Sequence, residues 1–126
     1  MTLRTLAFVS AAYDFALALP LLVAAPLVAR LMGAPEPVPV INAQLNGLFT
    51  LTLGVGYLWA AADTEARRGY FWVAGVLAKG LGCALFVGDH FVRPSPPTYL
   101  LFALTDGTLA LLTLALLVRS RGVRPA

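Results

Sequence analysis

Four long apolar segments, separated by short stretches rich in proline, glycine and charge, set the pattern of the chain. They run from about Leu6 to Leu31, Asn42 to Ala62, Tyr70 to Val92 and Thr98 to Val118. Each approaches or exceeds the roughly 20 residues with which an α-helix crosses a hydrocarbon core. The pattern therefore predicts an all-α fold, a four-transmembrane-helix antiparallel bundle that occupies residues 1–126 as a single integral membrane domain.

The residues that punctuate these segments predict their ends and bends. Pro20 and Pro26 fall inside the first segment, where each removes a backbone donor, so a bent helix is expected, with neighbouring groups satisfying the freed carbonyls. Gly33 ends it, and the alternating prolines of Ala34 to Pro39 make an extended connector. Asn42 is placed to cap the second helix, while Gln44 and Asn46 put amides in its first turns that can bond across the bundle. Asp63 or Thr64 is expected to cap the third helix, and Ser95 the fourth, with Pro96 at its first position. Within the third segment Ala74, Ala78 and Gly82 recur every four residues, a small-residue ridge for close helix packing or for docking a partner.

Composition agrees with a bilayer solvent. The chain is 60% hydrophobic and only 12% charged, against about 45–50% and about 25% in soluble domains. The net charge of +3 would point to nucleic acid in a soluble protein, but the arginines gather at segment ends and read as orientation signals instead. Arg4, Arg67, Arg68, Arg119, Arg121 and Arg124 fall on one side of four crossings, and Arg30 and Arg93 on the other. By the positive-inside rule both termini are cytoplasmic. The first apolar run carries Asp14 and is too long for the roughly 7–15 residues of a signal-peptide core, so it is read as an uncleaved helix. The lone Cys83, in an apolar segment, reads as a buried thiol. The basic tail after Arg119 is expected to fray.

The charges that remain inside the segments are the informative ones. Lys79 is the only lysine and sits in mid-segment, where a cation costs about 2.5–3.5 kcal/mol on insertion scales unless it is received by a counter-charge or a wet cavity. Counted from the cytoplasmic end at about 1.5 Å per residue, Asp14 lies about 12 Å deep, Lys79 about 13 Å and Asp106 about 18 Å. Three ionisable groups from three helices thus share one layer. Ser10 and Thr113 lie on the same helical faces as the two acids and are expected to complete the hydrogen bonding. One reading of this cluster is an ion-pair network that fixes helix register. The other is a polar pocket for a ligand headgroup or a proton, and lysine, unlike arginine, can release its proton when buried.

Asp89 and His90, near the outer end of the third helix, together with Asn46 form a candidate secondary polar site. A lone histidine is no metal centre, and no metal site is predicted. Tyr13, Tyr57, Trp59 and Trp72 read as interfacial or packing aromatics. Nothing in the chain matches a catalytic triad, a phosphate loop or a haem-binding pair, so a self-contained enzyme is not expected and no catalytic residue is assigned.

Tyr13-Asp14, the Asn46-Gly47-Leu48-Phe49 stretch, Gly75 to Lys79 (GVLAK) and Thr105-Asp106-Gly107 together resemble small four-helix bacterial membrane proteins grouped as DoxX-like. The resemblance implies a bacterial cytoplasmic membrane and a subunit associated with quinone-linked redox metabolism, though no quinone or redox motif maps onto this chain. Three functions follow as expectations. The first is a carrier that binds a small amphipathic ligand, a lipid or a quinone, at Asp14, Lys79 and Asp106. The second is an accessory subunit of a homo-oligomer or larger membrane complex, and the third a minimal proton-coupled transporter. Membrane lipids are the expected surroundings in every case.

Overall fold

The computed structural model describes residues 1–121; Arg124 and the end of the tail lie outside them. Four helices make the fold: α1 (Leu3–Leu31), α2 (Val40–Ala62), α3 (Arg68–Val92) and α4 (Tyr99–Arg121), with no strand among the described residues. All four are long and apolar enough to span a membrane.

α1 begins three residues earlier than the apolar pattern alone predicts, because Thr2 caps it: its hydroxyl accepts from the Thr5 N–H at 3.1 Å. The helix kinks at Ala24, whose φ of −147° and ψ of 41° leave the helical region. Pro26 has no N–H for the Leu22 carbonyl four residues back. The Gln44 side chain of α2 donates to that carbonyl instead, at 3.2 Å. At the far end Gly33 takes φ +68°, and the Gly33 and Ala34 amides return to the Arg30 and Ala29 carbonyls. This is a Schellman closure, and its left-handed residue favours glycine.

The other helix starts differ from expectation. α2 begins at Val40 with Pro39, in extended conformation, at the cap position, so Asn42 lies inside the first turn. Asp63 Oδ1 accepts from the Ala66 N–H at 3.0 Å and closes the connecting turn, five residues before α3 begins. Ser95 does not cap α4, because its hydroxyl turns back to the Asp89 carboxylate. In each case a proline or a short turn moves the helix start, and the polar side chain serves the loop.

α1 and α2 pack antiparallel: Gly47 of α2 meets Leu21 and Leu22, and Gly54, two turns on, meets Phe15 and Asp14. α3 and α4 form a second antiparallel pair, with Gly75 against Thr113 and Gly82 against Asp106. A methyl group at Gly75 would lie 2.6 Å from Thr113 Cγ2, so the two backbones meet where no side chain fits. The predicted ridge is thereby divided. Ala74 is buried in the core, Ala78 is exposed, and Gly82 packs near Asp106 of α4. The cause is a π-helical stretch, Phe71–Ala78, whose wider turns shift the faces out of the four-residue repeat.

The apolar core lies at the end of the bundle that holds the described N-terminus and the 63–67 turn. Leu3 and Ala7 of α1, Tyr57 and Ala61 of α2, Phe71 of α3 and Leu117 of α4 meet there. Arg67 and Arg68 close this end by donating to the Trp59 and Leu117 carbonyls. Cations at helix C-termini are favourable in their own right. At the opposite end Thr98 Oγ1 donates to the Met32 carbonyl at 2.5 Å and ties the two hairpins together, with cavities between that contact and mid-bundle.

Candidate functional site

The layer predicted from depth assembles. Lys79 Nζ donates to Asp14 Oδ1 at 2.8 Å and stands 3.8 Å from Asp106 Oδ1. Asp14 is 1% exposed and Lys79 5%, while the Asp106 side chain keeps 18%. No Cα of α1 comes within 8 Å of one in α3, so the Lys79 to Asp14 bond is made by the long stem of the lysine reaching across a gap. A cation on a flexible stem is the residue type suited to that span.

Two tyrosines complete the setting. The Lys79 ammonium lies 5.1 Å from the ring centroid of Tyr13 and 5.7 Å from that of Tyr57, within the range of cation–π attraction. Thr105 spends its own proton on the Leu101 carbonyl at 2.9 Å. The Tyr13 and Thr105 hydroxyls share a hydrogen bond at 2.5 Å. Of the two readings open to Tyr57, interfacial or packing, it takes the second: it is 1% exposed and stacks edge-on against Tyr70 at 5.2 Å. Its position at a helix end suggested a belt residue; only the packing of α3 across it shows otherwise. Trp59 does fit the interfacial reading, exposed and covered by the Arg67 guanidinium at 4.5 Å.

Ser10 and Thr113 are buried at this level but do not join the ion pairs. Thr113 Oγ1 donates to the Leu109 carbonyl of its own helix at 2.7 Å, the usual alternative for a helical threonine in an apolar setting. The Ser10 and Tyr57 hydroxyls are both buried with no hydrogen-bond partner among the described residues. Asp14 Oδ2 is likewise buried and without a hydrogen-bond partner among the described residues.

The secondary site is not assembled as one unit. Asp89 pairs with Arg93 at 3.0 Å and borders a different cavity from Asn46. His90 Nδ1 is buried with no hydrogen-bond partner among the described residues, its ring edge-on to Phe91 at 5.4 Å. Residues on separate helices at similar depth need not face one another, and depth was all the sequence offered.

A cavity of about 420 Å³ reaches the cluster from between the hairpins. Asp14, Lys79 and Asp106 lie at its polar end, and Leu17, Leu21, Phe49, Phe86 and Phe102 form its apolar wall. Asn46 and Ala78 also border it. Val28, Asn46, Phe86 and Phe102 are shared with a second cavity of about 370 Å³ beneath Pro35 and Pro37 of the connector. The two lie side by side between the connector and the buried charges, with the apolar core beyond the charges; the one that reaches the charges forms a crevice. An enclosed polar end with a long apolar wall can hold a molecule that has a polar head and a hydrocarbon body. No protein-family model, curated protein or solved structure matches the chain.

Proposed function

We propose that the chain is a carrier or binding module for a small amphipathic molecule, a lipid or a quinone, held with its head at Asp14, Lys79 and Asp106. The observation that carries this reading is the crevice itself: about 420 Å³, apolar along its wall and charged at its closed end. A purely structural ion pair would need no such space beside it. We place the protein in a bacterial cytoplasmic membrane with both termini cytoplasmic, on the asymmetric distribution of arginines, and associate it with the DoxX-like proteins on its sequence motifs. In this orientation the crevice lies on the outer side of the charged layer. Closure of the cytoplasmic end by Leu3, Tyr57, Phe71 and Leu117 favours the binding module over the transporter reading.

Native mass spectrometry of the protein released from mild detergent tests the proposal. Wild type should carry a discrete bound mass that Lys79→Met loses. Ala78→Phe, which fills the crevice without touching the charges, should lose it as well while helicity by circular dichroism is retained. Ligand-free spectra for wild type and both variants would return the cluster to a structural role.

A further inference from the structure

We infer that the crevice takes an amphiphile with a cationic, amine-type head, seated on Asp106 and facing the unpartnered oxygen of Asp14, with its hydrocarbon body along the phenylalanine wall. The inference rests on the amphiphile-binding reading above and narrows the class of ligand.

Charge balance at the closed end carries the argument. Two carboxylates, Asp14 and Asp106, share one ammonium, Lys79. α2 contributes no Asp, Glu, Lys, Arg or His, and the arginines of α1, α3 and α4 are confined to the first two or last three residues of their helices. With all three groups ionised the cluster therefore holds one negative charge in excess, in the layer where an unbalanced charge is most costly. The second observation is independent of the count. Asp14 lines the crevice, and its Oδ2, which is buried, has no hydrogen-bond partner among the described residues, whereas buried acceptors are ordinarily satisfied.

Head-group chemistries differ in how they answer these two demands. An anionic head adds a second excess negative charge. A hydroxyl or a quinone carbonyl leaves the excess untouched, and the carbonyl brings no donor either. A protonated amine supplies the missing charge and several N–H donors together. A bare metal ion is disfavoured because no third His, Cys, Asp or Glu joins the two carboxylates among the described residues, and it would leave the apolar wall without a purpose. Asp106 is the carboxylate that receives the head, because 18% of its side chain stays exposed against 2% of Asp14's, and Asp14 beside it lines the same crevice.

Three probes of equal chain length separate the outcomes: dodecylamine, dodecanol and dodecanoate, offered at equal concentration and neutral pH to the full chain in nanodiscs and read by native mass spectrometry. Dodecylamine should be retained over both others by roughly tenfold or more, and Asp106→Asn should abolish that preference. Equal retention of amine and alcohol would overturn the cationic head and show that a proton on one carboxylate balances the charge, with amphiphile binding intact. Preference for dodecanoate that disappears in Lys79→Met would overturn it in favour of an anionic head. Failure of all three to bind would overturn the amphiphile reading as well. The head-group preference of wild type alone decides these cases if Asp106→Asn fails to fold, and an unchanged preference in a folded Asp106→Asn would refute the seat on Asp106.

Discussion

Individual side chains in this bundle are chosen by what they must reach. Lys79 crosses a gap that no backbone contact closes, and Gln44 reaches the one carbonyl that Pro26 deprives of its donor. The second pairing gives a sharp test. Gln44→Leu should destabilise the folded state by about 1 kcal/mol, the scale of a hydrogen bond between membrane helices. In a Pro26→Ala background, where residue 26 again offers an N–H to Leu22, the same substitution should cost clearly less. Chemical unfolding in detergent, run as a double-mutant cycle, measures the difference. Strict additivity of the two substitutions would show that the Gln44 bond does not compensate for the proline.

Within the elements, close approach is decided by which small residues face inward. Gly75 of α3 packs on Thr113, whereas Gly80, five residues on, has open space where a side chain would start. Gly75→Leu should therefore destabilise the protein by about 1–3 kcal/mol or more through overpacking. Gly80→Leu should stay within about 0.5 kcal/mol of wild type, as expected away from packed sites. Thermal unfolding of both variants in one detergent checks this. Equal effects would mean that the α3–α4 contact is looser than the glycine geometry indicates. The four-residue repeat of Ala74, Ala78 and Gly82 was visible in the sequence, but the face it forms was not. A π-helical stretch changes the residues per turn, and nothing in the composition of Phe71–Ala78 marks it.

At the scale of the molecule, two hairpins meet through an apolar plug at one end, a charged bridge at mid-depth and the Thr98 to Met32 hydrogen bond at the other end, with cavities between the last two. The proposed orientation predicts which end faces out. After Cys83→Ala removes the native thiol, a cysteine replacing Glu36 in the connector should react with a membrane-impermeant maleimide added to intact cells. One replacing Thr64 in the 63–67 turn should react only after the membrane is opened. The reverse pattern would invert the topology and turn the crevice toward the cytoplasm.

The sequence by itself determined the four helices, because about 20 apolar residues between breakers have few other stable forms in a bilayer. It also determined the Asp14, Lys79 and Asp106 layer, because depth along a helix is a matter of counting residues. The bend of α1 followed from its prolines in the same way. What only the tertiary structure decided is direction around each helix axis: that Tyr13 and Tyr57 turn toward the ammonium, that Thr113 bonds its own helix, and that Asn46 and Asp89 border different cavities. The crevice belongs to this second class, since space between hairpins is set by where their backbones touch and where they part. Rotation and separation depend on contacts between residues far apart in the chain, and those contacts leave no periodic trace in any one segment.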